Sequence, residues 1–263
     1  MIEEHFMVKN PRAPVAQIVE GMEDTRPQQP EAAAQPSDKT LPVKVDELAR
    51  DPEVQAYIEA ANANLGVIGF TEHGTRHANL VSRIARNVLR RLDYDPHLQE
   101  LAAIAGYLHD MGNAISRYDH ALTGALLARE ILLRYEVAPA DIALVMGAIG
   151  SHGDDSQRLG EAVHPVSAAL ILADKSDVHR SRVRASDPSQ FDAHDRVNWA
   201  VESSFLRVDP EEKAITLELT IDTSISQVMD YFEIFLPRMI MCRRAAELLG
   251  CQFHIQINGV ELL

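Results

Sequence analysis

Apolar residues between positions 43 and 200 recur at three and four, the spacing that gives a helix one buried face. Asp51-Pro52-Glu53 has the signature of a helix start: a capping side chain, a proline in the first turn, and an acid near the positive end of the dipole. Val54, Tyr57, Ile58 and Leu65 form the apolar face of that helix. A second helix is predicted from about Thr75 to Leu92, with Val81, Ile84, Val88 and Leu92 inward and arginines opposite. Further helices are predicted over Pro96 to Leu108, about Tyr118 to Tyr135, and Pro139 to Gly150. Another begins near Pro165 and carries Val166, Leu170 and Ile171.

The period then changes. Phe205 to Val208 and Ala214 to Ile221 read as strands, joined by Asp209-Pro-Glu-Glu-Lys213. Asp222-Thr-Ser opens a long helix, about Ile225 to Leu249, that stops at Gly250. Cys251 to Ile257 alternates again, and Asn258-Gly259 is a tight turn before Val260. The expected fold class is therefore mainly α. A helical core over residues 43–200 is followed by a small α+β unit, strand-strand-helix-strand-strand, over 201–263. Residues 1–42 form a flexible tail. The stretch from Arg26 to Pro42 is too rich in Pro, Gln and Ala to offset its ordering entropy by burial, and Met7 to Met22 offers at most a short segment without assigned function.

Composition narrows the function classes. The chain of 263 residues is 46% hydrophobic and 24% charged, an ordinary globular balance. Its net charge of −14 argues against broad binding to nucleic-acid polymers or anionic membranes, while leaving room for a local basic patch. Two cysteines without a CxxC pair exclude a disulfide framework and a cysteine-rich zinc site. With no apolar signal region and no spanning stretch, a cytoplasmic protein is expected.

The chemistry lies at the ends of the apolar stripes. His77 opens the helix of Val81, Ile84 and Val88, and His109-Asp110 ends the next apolar run. His120 precedes Gly124, Leu127 and Ile131, His152 follows Ile142, Val145 and Ile149, and Asp174 closes Val166, Leu170 and Ile171. Each alone has an ordinary explanation, a hydrogen-bonded core histidine or a helix-terminal aspartate. Together, five helices put imidazoles and carboxylates where the stripes reach the interior. Burying them unpaired would cost several kcal/mol. A divalent metal held by imidazole nitrogen and carboxylate oxygen would remove that cost. His5, His97, His164, His179, His194 and His254 are expected at the surface or in packing roles. The chain has no nucleophile elbow, glycine-rich phosphate loop or Cys/His dyad, and a metal-activated water would require none.

The ordered set resembles the HD superfamily of metal-dependent phosphohydrolases over about residues 50 to 185. The pattern is carried by His77 in His-Ala-Asn-Leu-Val, His109-Asp110 in Leu-His-Asp-Met-Gly, and Asp174 in Leu-Ala-Asp-Lys. His120 and His152 match the two-metal subset. The resemblance implies that His77, His109 and Asp174 bind one ion and that His120 and His152 bind a second, with Asp110 bridging. The pair would be divalent transition metals, Fe, Mn, Zn, Ni or Co. His73, one turn earlier but separated by Gly74, is a supplementary candidate. Met111-Gly112-Asn113 replaces the Gly-Lys that often follows His-Asp, and the signatures of the cyclic-di-GMP, alarmone and dGTP branches are missing.

Lys175 and Arg180 are the candidate phosphate contacts, with a solvated basic face including Arg182 and Arg184 as the equally weighted alternative; Arg76 and Arg83 are weaker candidates. The expected activity is hydrolysis of a small phosphorylated substrate at a dinuclear site, with Asp110, Lys175 and Arg180 as its catalytic groups. A di-iron oxygenase or a non-catalytic metal- or nucleotide-binding regulator are the alternatives. The C-terminal strands offer an edge through which a homodimer could form.

Overall fold

A computed structural model describes residues 40–154 and 159–262. The segment Met7 to Met22, His5 and nearly all of the expected tail lie outside the described residues. The chain is organised as α1 (Val45–Leu48), α2 (Pro52–Val67), α3 (Thr75–Arg91), α4 (Pro96–Leu108), α5 (His120–Arg134), α6 (Pro139–Gly150), α7 (Pro165–Lys175) and α8 (Ala193–Ala200). There follow β1 (Val201–Asp209), β2 (Ala214–Ile221), α9 (Val228–Leu248), β3 (Gln252–Ile257) and β4 (Val260–Glu261).

Two helices sit at the centre because their sequences have no polar face to offer water. Every residue of α4 from Leu101 to Leu108 is buried, as is every residue of α7 from Val166 to Lys175. A helix apolar all round must be covered all round. Helices α3 and α6 each pack on both α4 and α7, and α5 packs on α6. Close approach of α4 to α3 depends on Gly106, where a Cβ would meet the Ser82 backbone.

The sheet order is β1-β2-β3-β4, with β1/β2 and β3/β4 antiparallel and β2/β3 parallel. A parallel pair needs a crossover, and α9 supplies it. This helix packs on β3 and on α7, so the sheet unit and the helical core share apolar contacts.

Three boundaries differ from the periodicity, each for a local reason. Strand β1 begins at Val201, directly after α8, and a bulge between Val201 and Ser203 hides the alternation of its first residues. Helix α5 starts at His120, because Asp119 takes a left-handed conformation with φ 56°. Helix α9 starts at Val228, where Gln227 and Asp230 form a reciprocal cap. The preceding Asp222 instead closes a turn by accepting from the Ser224 backbone N–H.

The short 3-10 helix Met111–Ala114 carries the chain from α4 towards α5. A Cβ on Gly112 would overlap the His120 carbonyl oxygen and crowd the Gly124 amide, so only glycine lets this turn approach α5. Gly112→Ala is therefore expected to cost about 1–3 kcal/mol of stability through overpacking. Gly150→Ala, where a Cβ meets only Leu122 at 3.9 Å, is the control and should cost little or nothing. Urea denaturation of the two variants checks the contrast.

Candidate metal centre

Three helices end at one place. His109 caps the C-terminus of α4, Asp174 lies in the last turn of α7, and His152 stands two residues past α6. Helix C-termini carry partial negative charge and favour a cation nearby. His77, in the first turn of α3, and His120, the first residue of α5, complete the ring. All six predicted ligands are buried.

The contacts divide between the two oxygens of Asp110. Oδ2 lies 3.6 Å from His77 Nε2 and 3.3 Å from His109 Nε2. Oδ1 lies 3.8 Å from both His120 Nε2 and His152 Nε2. Asp174 Oδ1 faces the first pair, 3.3 Å from His77 Nε2 and 3.6 Å from His109 Nε2. One oxygen of Asp110 thus faces His77 and His109, and the other faces His120 and His152. The donor atoms of His77, His109 and Asp174 form one group close enough to share an ion, and those of His109, Asp110 and His152 form another.

Each imidazole is turned by an acceptor behind it. Nδ1 of His77 donates to Asp177 Oδ2 at 2.7 Å, and Nδ1 of His109 donates to the Gly106 carbonyl at 2.8 Å. His152 donates to the Ile149 carbonyl at 2.5 Å and His120 to the Arg117 carbonyl at 3.2 Å. With the proton on Nδ1, every Nε2 presents a lone pair, that of His120 also lying 3.3 Å from Arg117 Nη1. His77 Nε2 and His109 Nε2 then face each other at 3.2 Å. Asp110 Oδ2 is buried without a hydrogen bond among the described residues. Lone pairs and carboxylates packed this closely repel unless positive charge stands among them. Nitrogen and carboxylate donors of this kind suit divalent transition metals.

The electrostatics express the same demand. Burial holds back the His109 imidazolium, but the Asp110 and Asp174 carboxylates outweigh it and its pKa is pushed up to about 10. Burial opposes ionisation of Asp110 and Asp174 as well, yet His109, His152, His77 and Lys175 hold both carboxyls well below the usual range. Burial and the neighbouring His152 lower His120 to about 3.

The cavity above the cluster is lined by charged and imidazole groups alone. Lys175 is there, as expected, with Nζ 2.7 Å from Asp174 Oδ2 and 3.4 Å from Asp154 Oδ1. Arg180 is not. It pairs with Glu202 at 3.0 Å and lies over the Trp199 ring, because the turn that follows α7 packs against α8. Arg182 turns inward from that turn, bonded to the Asp177 and Glu72 carbonyls. Arg76 pairs with Asp177 and Glu72, and Arg83 is exposed, so neither reaches the cavity. His73 does line it, with Nδ1 on the Thr71 carbonyl.

Sequence reasoning missed Asp154, Asp177, Arg117, Arg238 and Asn113. Asp177, three residues past Asp174, and Arg117, three before His120, had spacing as a faint signal. Asn113 donates to Asp110 Oδ1 at 3.0 Å from within the same turn. Arg238 had none, being far away on α9.

Comparison with known proteins agrees with this geometry. The HD domain model matches residues 72–233, and the chain belongs to the HD-domain family. It is similar to an uncharacterized protein of Methanocaldococcus jannaschii, 26% identical over 211 residues that cover 70% of this chain and 79% of the relative.

Asp177 ties His77 to Arg76 and Arg182. Burial opposes its charge, but Arg182, His77 and Arg76 overcome this and hold its carboxyl far below the usual range. A depressed acid stabilises the fold above its unfolded pKa, about 3.9, and that share is lost progressively below about pH 4. Asp177→Asn is expected to destabilise the fold by about 3–5 kcal/mol at neutral pH and to flatten the acid limb of the stability profile. It should also weaken divalent-metal binding about 10–100-fold. Thermal melts from pH 3 to 8 and metal titration check the two effects.

Proposed function

We propose that the protein is a metal-dependent phosphohydrolase that cleaves a small phosphorylated substrate at a dinuclear centre. The observation that carries this reading is the division of Asp110, one oxygen towards His77 and His109 and the other towards His120 and His152. His77, His109 and Asp174 would hold one ion, His120 and His152 the other, and Asp110 would bridge. Two such ions supply Lewis acidity, which activates water and neutralises phosphate oxygens.

The protein's own groups do the rest. The Nδ1 partners lock each imidazole so that ligand geometry need not be reorganised. Lys175, held by Asp174 and Asp154, offers an ammonium to the substrate phosphate. Arg117, Lys175, Arg182 and Arg238 in the lining, alongside three carboxylates, favour an anionic substrate over dioxygen with a neutral one, which supports hydrolase over oxygenase. The −14 net charge confines that attraction to the cavity and supports a small phosphorylated substrate in preference to a nucleic-acid polymer.

Protein purified without added metal is expected to carry two transition-metal ions per chain. His120→Ala combined with His152→Ala should retain one, and His109→Ala should lose metal and at least 100-fold in turnover. Elemental analysis and a broad phosphoester panel measure this. Metal-replete protein that cleaves no phosphoester, with His109→Ala unchanged in metal content, would sink the proposal. An iron pair that is mixed-valent by EPR and consumes oxygen would transfer the site to redox chemistry.

A further inference from the structure

Asp154 gathers cations from three separate parts of the chain. Arg238 Nε, from α9, donates to its Oδ2 at 2.8 Å. Lys175 Nζ, at the end of α7, stands 3.4 Å from Oδ1, and Arg117 Nη2, before α5, stands 3.8 Å from it. All four side chains line the cavity over the metal ligands.

Asp154 carries one charge and two oxygens against three cations, of which Lys175 is shared with Asp174 Oδ2 at 2.7 Å, and beyond its bond to Asp154 the Arg238 guanidinium makes no further hydrogen bond among the described residues. Arg238 is nonetheless held in place, with its guanidinium 4.9 Å over the Phe235 ring. Arg117 is likewise fixed against Phe70 at 4.8 Å. Pre-set guanidinium forks of this kind suit a tetrahedral oxyanion and lose little freedom on binding it.

We propose that Arg238, Arg117 and Lys175 form a phosphate clamp that selects phosphomonoesters over phosphodiesters, and that the Asp154 carboxylate occupies the clamp until the substrate displaces it. This rests on the hydrolase reading and deepens it by naming the substrate class. A monoester head carries about −1.5 to −2 charges at neutral pH and three terminal oxygens. That is enough to reach the clamp and the metal ligands at once. A diester has one charge and two free oxygens, and its second substituent would have to lie against a cavity wall made of charged groups. Arg238 thereby gives the C-terminal unit a direct part in substrate binding, since α9 places it there.

Calorimetric titration of inorganic phosphate into the full-length, metal-loaded protein tests the clamp without turnover. Arg238→Gln should weaken phosphate binding about tenfold, the loss of one charge-assisted contact. Asp154→Asn should tighten it several-fold, a gain that misfolding cannot produce. In parallel, 4-nitrophenyl phosphate should be cleaved in preference to bis(4-nitrophenyl) phosphate, and Arg238→Gln should raise KM for the monoester about tenfold while changing diester cleavage little. Unchanged phosphate affinity in Arg238→Gln, or preference for the diester, would overturn the clamp and leave the hydrolase reading standing. Weakening in Asp154→Asn would overturn the displacement by substrate. Phosphate binding that responds to both variants as expected, in protein that cleaves no phosphoester, would uphold the clamp and overturn the hydrolase reading instead.

Discussion

Buried between four imidazoles and a second carboxylate, the Asp110 side chain brings a full charge into the centre of the helical core. Desolvating a carboxylate costs several kcal/mol unless it is paired. Much of the architecture around it can be understood as meeting that demand. Three helix C-termini face the cluster, and their partial charges add to the call for a cation. Asn113 satisfies Oδ1 from the same turn, while Oδ2 is left for the inner pair of histidines. Positive charge at this point offsets the cost of burying that carboxylate.

The surroundings fix geometry more than they add affinity. Backbone carbonyls of Gly106, Ile149 and Arg117, and the Asp177 carboxylate, each take one imidazole proton. None of the three carbonyl acceptors is specified by a side chain, so the orientation of those rings follows from where each helix ends. Asp177 does more. It locks His77 and also ties Arg76 and Arg182, joining the first turn of α3 to the segment after α7. A change there would loosen ligand geometry and tertiary packing together.

The C-terminal unit shares in this arrangement. Helix α9 is the crossover that a parallel β2/β3 pair requires, and the same helix covers α7 and delivers Arg238 to Asp154. The family match extends to residue 233, into α9, and Arg238 lies one turn beyond it. The cavity's charge therefore comes from both the helical core and the sheet unit, whereas the clustered imidazoles and the Asp110 and Asp174 carboxylates come from the helical core alone.

Helix and strand periodicity, together with proline and aspartate caps, located α2, α3, α4, α6, α7, β2 and β3 closely, because those signals are local. Starts went astray where a left-handed residue, a bulge or a glutamine cap intervened, since each breaks the period without altering the apolar count. The six residues that gather in the buried cluster stood out in the sequence because metal chemistry needs particular side chains at the ends of apolar stripes. Arg180 was misplaced because adjacency along the chain says nothing about direction once a helix has ended, and packing on α8 turned it outward. Asp154, Arg117 and Arg238 come from three stretches spread over more than a hundred residues. The sequence by itself determined which elements form and which residues can ligate a metal. Only the tertiary structure decided which oxygen of Asp110 faces which histidines and which cations share Asp154, because such juxtapositions are set by how α4, α7 and α9 pack and leave no periodic trace along the chain.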